Sequence, residues 1–508
     1  MIFKTTMAVL LGAVLTAPAA WAAGGPPSPE PPFKLLFSSP QDLVETWGKL
    51  DIVVTPVRLI REVPTTPLNN GVWPAQDAPG TKLVGCFPLA DGSWEVFSQQ
   101  WVPLAPAKAW HDNPSTWKLM RAVTTDGATF KQVETVIEET TGPWTRHLVM
   151  AYNPEAKEYL MLKLRNDSHG FAYHAFFSPD GKKWQAHPDN PLFYEGDAVT
   201  VFWSAALKRF VVVSKSFLPW RKHIRDHGPP TKSLGDDTLR DRRVLMIRSS
   251  PDGRRWEPSA SLQDLYDIEK KKTSHPPEQL TVPDADDPPD LEFYNGNGFW
   301  YYDRAYMMVL NYAPHPLMPG KHGEEVDDEW WTSADGLKWE RPARGLNALE
   351  EFRVGLKRFE MPPMIIGGKL LWLEGPRLLG LPEDRISGVS VRANGEFSTK
   401  PFTMPPADLL LNAAVPAKER PWVARTPQPY LMVAVLDDQG KVIAGFDREK
   451  CLIWNNRSGS KGACVDRSDI PLMWGSASAR QLAGRTIRLR FFFGGSTIYA
   501  VTAKPQPQ

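Results

Sequence analysis

A charge of one sign is the first thing this sequence lacks. Its 59 Lys and Arg stand against 58 Asp and Glu, a net charge of +1, with no long run of either sign. That argues against the basic stripe that neutralises nucleic-acid phosphates and the polybasic patch that holds an anionic membrane. Long apolar runs are absent too. Apart from Ala8 to Leu15, no segment approaches the ~20 apolar residues that a spanning helix needs, so membrane insertion is not expected. Cysteine is scarce, at three residues in 508, and no Cys/His spacing resembles a zinc site. Cys86 lies in the strand-like run Lys82 to Phe87 and reads as a small core residue. Cys451 and Cys464 flank an Asn-Asn-Arg-Ser-Gly-Ser loop, leaving a disulfide and two separate buried thiols equally open.

What is abundant is aromatic and loop-forming: 20 Trp, 23 Phe, 12 Tyr, 49 Pro and 37 Gly. The first residues carry the three parts of a secretory signal: Lys4, the apolar run, and Ala20-Trp21-Ala22 before a cleavage point. The expectation is a signal peptide over 1–22 and a secreted or periplasmic location, with a Pro-rich linker over 23–32.

One short phrase recurs along the chain. It reads Thr125-Asp126-Gly127-x-x-Phe130, then Ser178-x-Asp180-Gly181-x-x-Trp184, Ser250-x-Asp252-Gly253-x-x-Trp256 and Ser333-x-Asp335-Gly336-x-x-Trp339. Each copy follows a run of strand-formers and precedes a polar stretch, which is the pattern of a hairpin. Asp-Gly provides the backbone of a tight turn, and the hydroxyl residue bonds it. A residue that recurs at every turn serves the turn. Catalysis needs a unique constellation, so these aspartates are structural. With a further hairpin at Asp91-Gly92, the five signals predict a five-bladed β-propeller over residues 33–400.

From Leu409 the strands become short and regular. Leu409 to Ala413, Tyr430 to Leu436, Val442 to Phe446, Thr486 to Phe493 and Thr497 to Val501, with a turn at Asp437 to Gly440, predict a small C-terminal β-sandwich over 401–508. The fold class is therefore all-β. A short helix is expected near Leu262 to Lys272, inside an insertion.

These turn phrases, together with Gly388 to Pro401, Leu409-Leu-Leu-Asn412, Val435 to Gly440 and Leu482 to Phe491, resemble the exported five-bladed propeller proteins related to glycoside hydrolase families 32 and 43. The resemblance implies a carbohydrate substrate and a site at one end of the propeller funnel, built from acids on different blades. Hydrolysis of a glycosidic bond needs one carboxylic acid to protonate the leaving oxygen and one carboxylate as base or nucleophile. The catalytic candidates are Asp197, Asp290 and Asp327, each in an aromatic-rich, strand-edge setting. Glu292, one strand face with Asp290 at i, i+2, is a substrate-binding candidate with Trp203, His174 and Arg304, and Glu360 is a further acid. His111, Arg146 and His147 are other donors for sugar hydroxyls; Trp110, Trp220 and Trp300 are other surfaces for sugar rings.

Two elements of family 32, Arg-Asp-Pro and Glu-Cys, are missing; the nearest analogue is Tyr152-Asn153-Pro154. Some relatives hold calcium in the funnel, but no motif here supports a structural calcium, and the expectation is no cofactor and no metal. Two readings follow: an exported glycoside hydrolase acting on a polysaccharide or oligosaccharide, or a non-catalytic carbohydrate-binding propeller. Nothing in the sequence sets an oligomeric state.

Overall fold

The computed structural model describes residues 33–63, 81–103, 115–141, 148–167, 170–218, 242–258, 280–284, 286–287, 291–313, 324–346, 348, 361–374, 377–416, 429–454 and 465–504. The signal-peptide and linker expectations, the expected helix near Leu262 and the partner cysteine Cys464 lie outside the described residues. Among the described residues no helix is long and apolar enough to cross a membrane.

Strands and tight turns account for almost all the regular structure. Among the described residues, five antiparallel sheets follow one another. The first comprises Thr81–Pro88, Trp94–Pro103, Ser115–Thr124 and Phe130–Thr141. Leu148–Asn153, Glu158–Asp167, Gly170–Ser178 and Gln185–Ala186 form the second, with Phe193–Tyr194 also on its third strand. Val199–Ser204, Arg209–Leu218, Arg242–Ser250 and Leu280–Thr281 form the third, and Glu292–Tyr301, Arg304–Ala313 and Glu324–Ser333 the fourth. The fifth comprises Met364–Ile366, Lys369–Glu374 and Arg377–Pro382, and its outer strand, Arg58–Glu62, comes from before the first sheet. The opening strands of these sheets touch one another, so they line the centre.

The repeated turns show how the sheets pack into a ring. In each, the Asp carboxylate accepts from the backbone ahead of it, as Asp180 does from Lys182 and Lys183 N–H, both at 2.9 Å. The Asp335 carboxylate likewise takes Leu337 N–H at 2.7 Å and Lys338 N–H at 2.9 Å. The glycine behind it has positive φ, +69° at Gly181, and abuts the preceding sheet: a Cβ there would lie 2.8 Å from the Phe97 ring. Gly253 meets Leu160 and Phe177, Gly336 meets Phe202, and Gly127 of the first sheet meets Met364, Leu371 and Leu378 of the fifth. Trp330 of the fourth sheet and Trp372 of the fifth have ring centroids 6.3 Å apart. The ring therefore closes on itself, which removes exposed sheet edges from its centre and is the β-propeller architecture. Asp-Gly serves both needs at once, a turn of the right hand and room for the neighbouring sheet.

Two details differ from the sequence reading. The hydroxyl that bonds the first phrase belongs to Thr124, which accepts from Gly127 N–H at 3.0 Å. The Asp91 and Asp126 turns both lie in the first sheet, whereas the fifth sheet turns at Gly367-Gly368 and carries no copy of the phrase. Counting phrases thus counts one sheet twice and misses another, because the phrase marks the turn after a third strand rather than a sheet as such.

The remaining strands make two facing sheets. One orders Leu50–Val54, Ser387–Val391, Thr497–Lys504, Asp408–Val415 and Val465–Pro471, with Lys34–Leu36 on Thr497–Lys504. The other orders Leu43–Trp47, Gly395–Thr399, Thr486–Gly494, Tyr430–Leu436 and Leu452–Trp454. Phe37, Phe397, Phe491 and Phe493 pack between them. The strands from Lys34 to Val54 and from Ser387 to Thr399, which the sequence reading placed in the propeller segment, pair with this C-terminal sandwich. Their partners are hundreds of residues away, a relation that no local pattern carries. Val442 to Phe446, expected as a strand, forms a single bridge from Val442 to Leu436 beyond the Asp437 turn.

Propeller and sandwich share apolar packing: Leu36 and Ala500 cluster with Phe299, Trp330 and Trp372. Arg304 clamps Asp42 with two bonds, of 2.8 and 2.9 Å, and Lys34 reaches Glu383 at 2.7 Å and Asp384 at 2.8 Å.

Candidate functional site

The central strands give the molecule two ends: a leading end, where they begin, and a turn end, where they finish near the repeated Asp-Gly turns. Thr200 Oγ1 bonds the backbone of Gly298, while Lys215, paired with Asp197, lies over Tyr294. Positions 197 and 200 of one central strand thus match 294 and 298 of the next in the same order, so these strands run parallel and their leading ends share a level.

At that level the third sheet is entered through Glu195-Gly196-Asp197. Gly196 N–H donates to the Lys215 carbonyl at 2.9 Å, and a Cβ on Gly196 would lie 2.2 Å from that oxygen. Only glycine lets this lead lie so close to the adjacent strand. The hydroxyl of Tyr173 donates to the Gly196 carbonyl, and Glu195 N–H donates to Phe171, fixing the lead to the second sheet as well. Burial, and then the Asp197 and Glu195 charges, push the Tyr173 hydroxyl well above its ordinary pKa, so it stays a donor.

Three carboxylates and three cations meet here. Glu195 pairs with Arg248 at 2.8 Å, and its other oxygen accepts from Ser216. Glu292 pairs with Arg243 at 2.5 Å. Asp197 pairs with Lys215, whose ammonium lies 4.4 Å from the centroid of the Tyr294 ring. Tyr294 stacks on Tyr312, with centroids 4.6 Å apart, and the Arg243 guanidinium lies over both rings. Exposure separates the acids: the Glu292 side chain is 1% exposed and that of Glu195 5%, whereas Asp197 is 25% exposed. Glu195 and Glu292 hold the cations in place, and Asp197 presents an oxygen to the solvent side.

The sequence candidates divide accordingly. The structure brings Asp197 and Glu292 into one cluster. Asp290 and Glu360 lie outside the described residues, as do Trp110, His111, Arg146, His147 and Trp220. Asp327 sits on the third strand of its sheet, opposite Asn311, whereas Asp197 leads a central strand. The two positions are therefore not equivalent around the axis, and Asp327 stands two strands, roughly 10 Å, outward from the central one. His174 is likewise on a third strand, opposite Lys163. Trp203 and Trp300 lie at the turn end, and Trp203 is about 20 Å along its strand from Asp197 at ~3.3 Å per residue. Arg304, bound to Asp42, belongs to the join with the sandwich; a clamped guanidinium is not offered to a sugar.

Sequence reading missed Glu195, Lys215, Arg243, Arg248 and the Tyr294–Tyr312 stack. Glu195 carried a signal, standing two residues before Asp197; the cations did not, since each sits in a strand whose neighbours read as ordinary alternation. Calcium does not fit the cluster, because each acid already faces a cation. Among the described residues no group of three or more His, Cys, Asp and Glu is placed to hold a metal.

No protein-family model matches the sequence, and no curated protein matches it. Solved structures similar to this chain include an exo-β-1,3-galactanase from Phanerochaete chrysosporium with galactose, at 8% identity and TM-score 0.34, over 88% of this chain and 100% of that one. A β-1,2-mannobiose phosphorylase from Listeria innocua matches at 11% identity and TM-score 0.38, over 65% and 97%. A fructan 1-exohydrolase IIa from Cichorium intybus matches at 12% identity and TM-score 0.31, over 86% and 97%. Likenesses this weak do not say which chemistry the chain performs.

Proposed function

We propose that this chain is an exported, carbohydrate-active propeller of five blades with a glycoside hydrolase-like site at the leading end. The observation that carries the reading is the buried cluster around Asp197. Burying three ion pairs gives little or no net stability compared with apolar packing of the same volume, so their retention at the leading end of the central strands points to a role in binding or chemistry. Asp197 serves as the carboxylate that meets the sugar, with Lys215 orienting it. Asp290, two residues before Glu292 in the sequence, serves as the second carboxyl, and the Tyr294 face packs against a ring. The N-terminal leader delivers the protein out of the cytoplasm.

A second reading has its own support. All three described acids of the cluster are paired with cations, and a group so paired does not supply the proton that a leaving oxygen needs. A propeller that binds carbohydrate without cleaving it fits that feature.

One experiment separates them. The purified protein is assayed for reducing-end release and for binding on a panel of polysaccharides, beside Asp197→Asn. Hydrolysis that falls by about two orders of magnitude or more in a folded variant supports the enzyme. Binding without release in the wild type supports the binding module. A wild type with neither activity, or a variant that hydrolyses normally, overturns the assignment of Asp197.

A further inference from the structure

The sandwich presents an outward face that the propeller does not cover. Thr486–Gly494 alternates: Ile487, Leu489, Phe491 and Phe493 enter the core, so Arg488, Arg490 and Phe492 point out. Pairing extends that face over five strands. Trp47 stands opposite Glu396, Glu396 and Met432 opposite Phe492, and Leu452 opposite Met432. Trp47 is 59% exposed, the most of any large apolar side chain among the described residues. The other sheet of the sandwich holds Ala500 and Leu36 against the propeller rings, so this face looks away from them. Its charges are held in place. A bulge between Val44 and Trp47 puts Glu45 at φ +50°, where its carboxylate accepts from the Ser398 hydroxyl at 2.8 Å and from Arg488 at 3.0 Å. Arg490 donates to Glu396 at 3.0 Å, and the Arg448 and Arg490 guanidinium groups lie 4.5 and 5.5 Å from the centroid of the Phe492 ring. Arg448 also pairs with Glu449, at 2.9 Å, so Arg448, Arg488 and Arg490 are balanced by Glu45, Glu396 and Glu449.

We propose that this face binds a neutral oligosaccharide chain, separately from the leading end of the propeller. An exposed indole packs against the apolar C–H face of a sugar ring. Sugar hydroxyls both donate and accept, and a surface that sets guanidinium donors beside carboxylate acceptors satisfies both. With balanced charge the face has no net attraction for an acidic polysaccharide or a nucleic acid. Partly exposed ion pairs in the middle of the patch also set it apart from the contact between two copies of a chain, whose centre is depleted of charge.

The test reads Trp47 directly. The full chain is labelled with 5-fluorotryptophan, and the fluorine NMR signal missing from Trp47→Phe is assigned to Trp47. Titration with cellohexaose, laminarihexaose, mannohexaose and fructan oligosaccharides should move that signal with at least one of them, and an oligogalacturonate should leave it in place. Glu396→Gln should weaken the binding so measured by about tenfold, while hydrolysis or binding at the leading end is unchanged. Arg490→Met makes the same test from the donor side if the first variant does not fold. A Trp47 signal that no neutral oligosaccharide moves overturns the proposal. So does an equal response to the oligogalacturonate, or binding that survives both variants. A signal that moves on dilution of the protein instead of on addition of sugar also overturns it, and marks the face as a contact between copies of this chain. A protein that fails on polysaccharide at the leading end but shows the Trp47 response leaves this site standing and removes only the reading of Asp197.

Discussion

The two ends of the propeller are built on opposite principles. At the turn end, Asp180, Asp252 and Asp335 each satisfy backbone N–H groups two or three residues ahead, and the glycines that follow them fit against the preceding sheet. The carboxylate and hydroxyl bonds that close each turn lie within six residues, so the same phrase can be written four times. At the leading end, Glu195 meets Arg248, Asp197 meets Lys215 and Glu292 meets Arg243, three pairs that join different strands. The turn end is repeated and local; the leading end is unique and assembled. Repetition is what a scaffold needs, and a single unrepeated arrangement is what a site needs.

Breaking the leading end should cost the most stability. Arg248 is fully buried against Glu195 and bonds the Pro258 carbonyl at 3.1 Å. Arg248→Met leaves a buried carboxylate without its partner, so urea unfolding should show a loss of about 3–5 kcal/mol. Loss below 1 kcal/mol would mean that the pair is not dry. Next comes the dual demand on the turn glycines: Gly181→Ala combines positive φ with contact on Phe97, and should cost about 2–3 kcal/mol in the same measurement. A neutral result would remove the glycine's second role.

Asp252→Ala should cost only about 1–2 kcal/mol, from hydrogen bonds to Arg254 N–H and Ser250, while carbohydrate binding or turnover per folded molecule stays near normal. A stable but inactive Asp252→Ala protein would place the turn end in the chemistry and dissolve the contrast. The smallest effect is on acid stability. Backbone N–H groups of Lys183 and Lys182 hold the Asp180 carboxyl below its ordinary pKa. A carboxyl lowered in the folded state contributes stability above its unfolded pKa, about 4, and that contribution is lost as pH falls through the folded value. Asp180→Asn should therefore show a shallower fall in unfolding midpoint below about pH 4. Identical slopes would discount the bond.

How much was legible follows the same division. The Asp-Gly hairpins, the strands around them and the change of texture near Leu409 could be read because turn chemistry and strand alternation act over a few residues. Asp197 could be found since an acid stands two residues before the apolar strand Val199–Ser204, amid Tyr194, Phe202 and Trp203. Its partner Lys215 could not, because a lysine in Arg209–Leu218 reads as an outward residue until the neighbouring strand is placed. Asp327 was matched to Asp197 on local context alone, and the strand order separates them.

The sequence alone determined an all-β chain of repeated hairpins, with phrases at turns and acids at strand entrances, since backbone preference and hydroxyl or carboxylate bonding are short-range. Only the tertiary structure decided that Arg58–Glu62 completes the fifth sheet and that Lys34 to Val54 joins the sandwich. It alone set Arg304 against Asp42 and gathered three ion pairs at the leading end of the central strands. Those relations depend on which strands become neighbours after the ring closes, and closure is a property of the summed packing of all the sheets, which no stretch of a few residues contains.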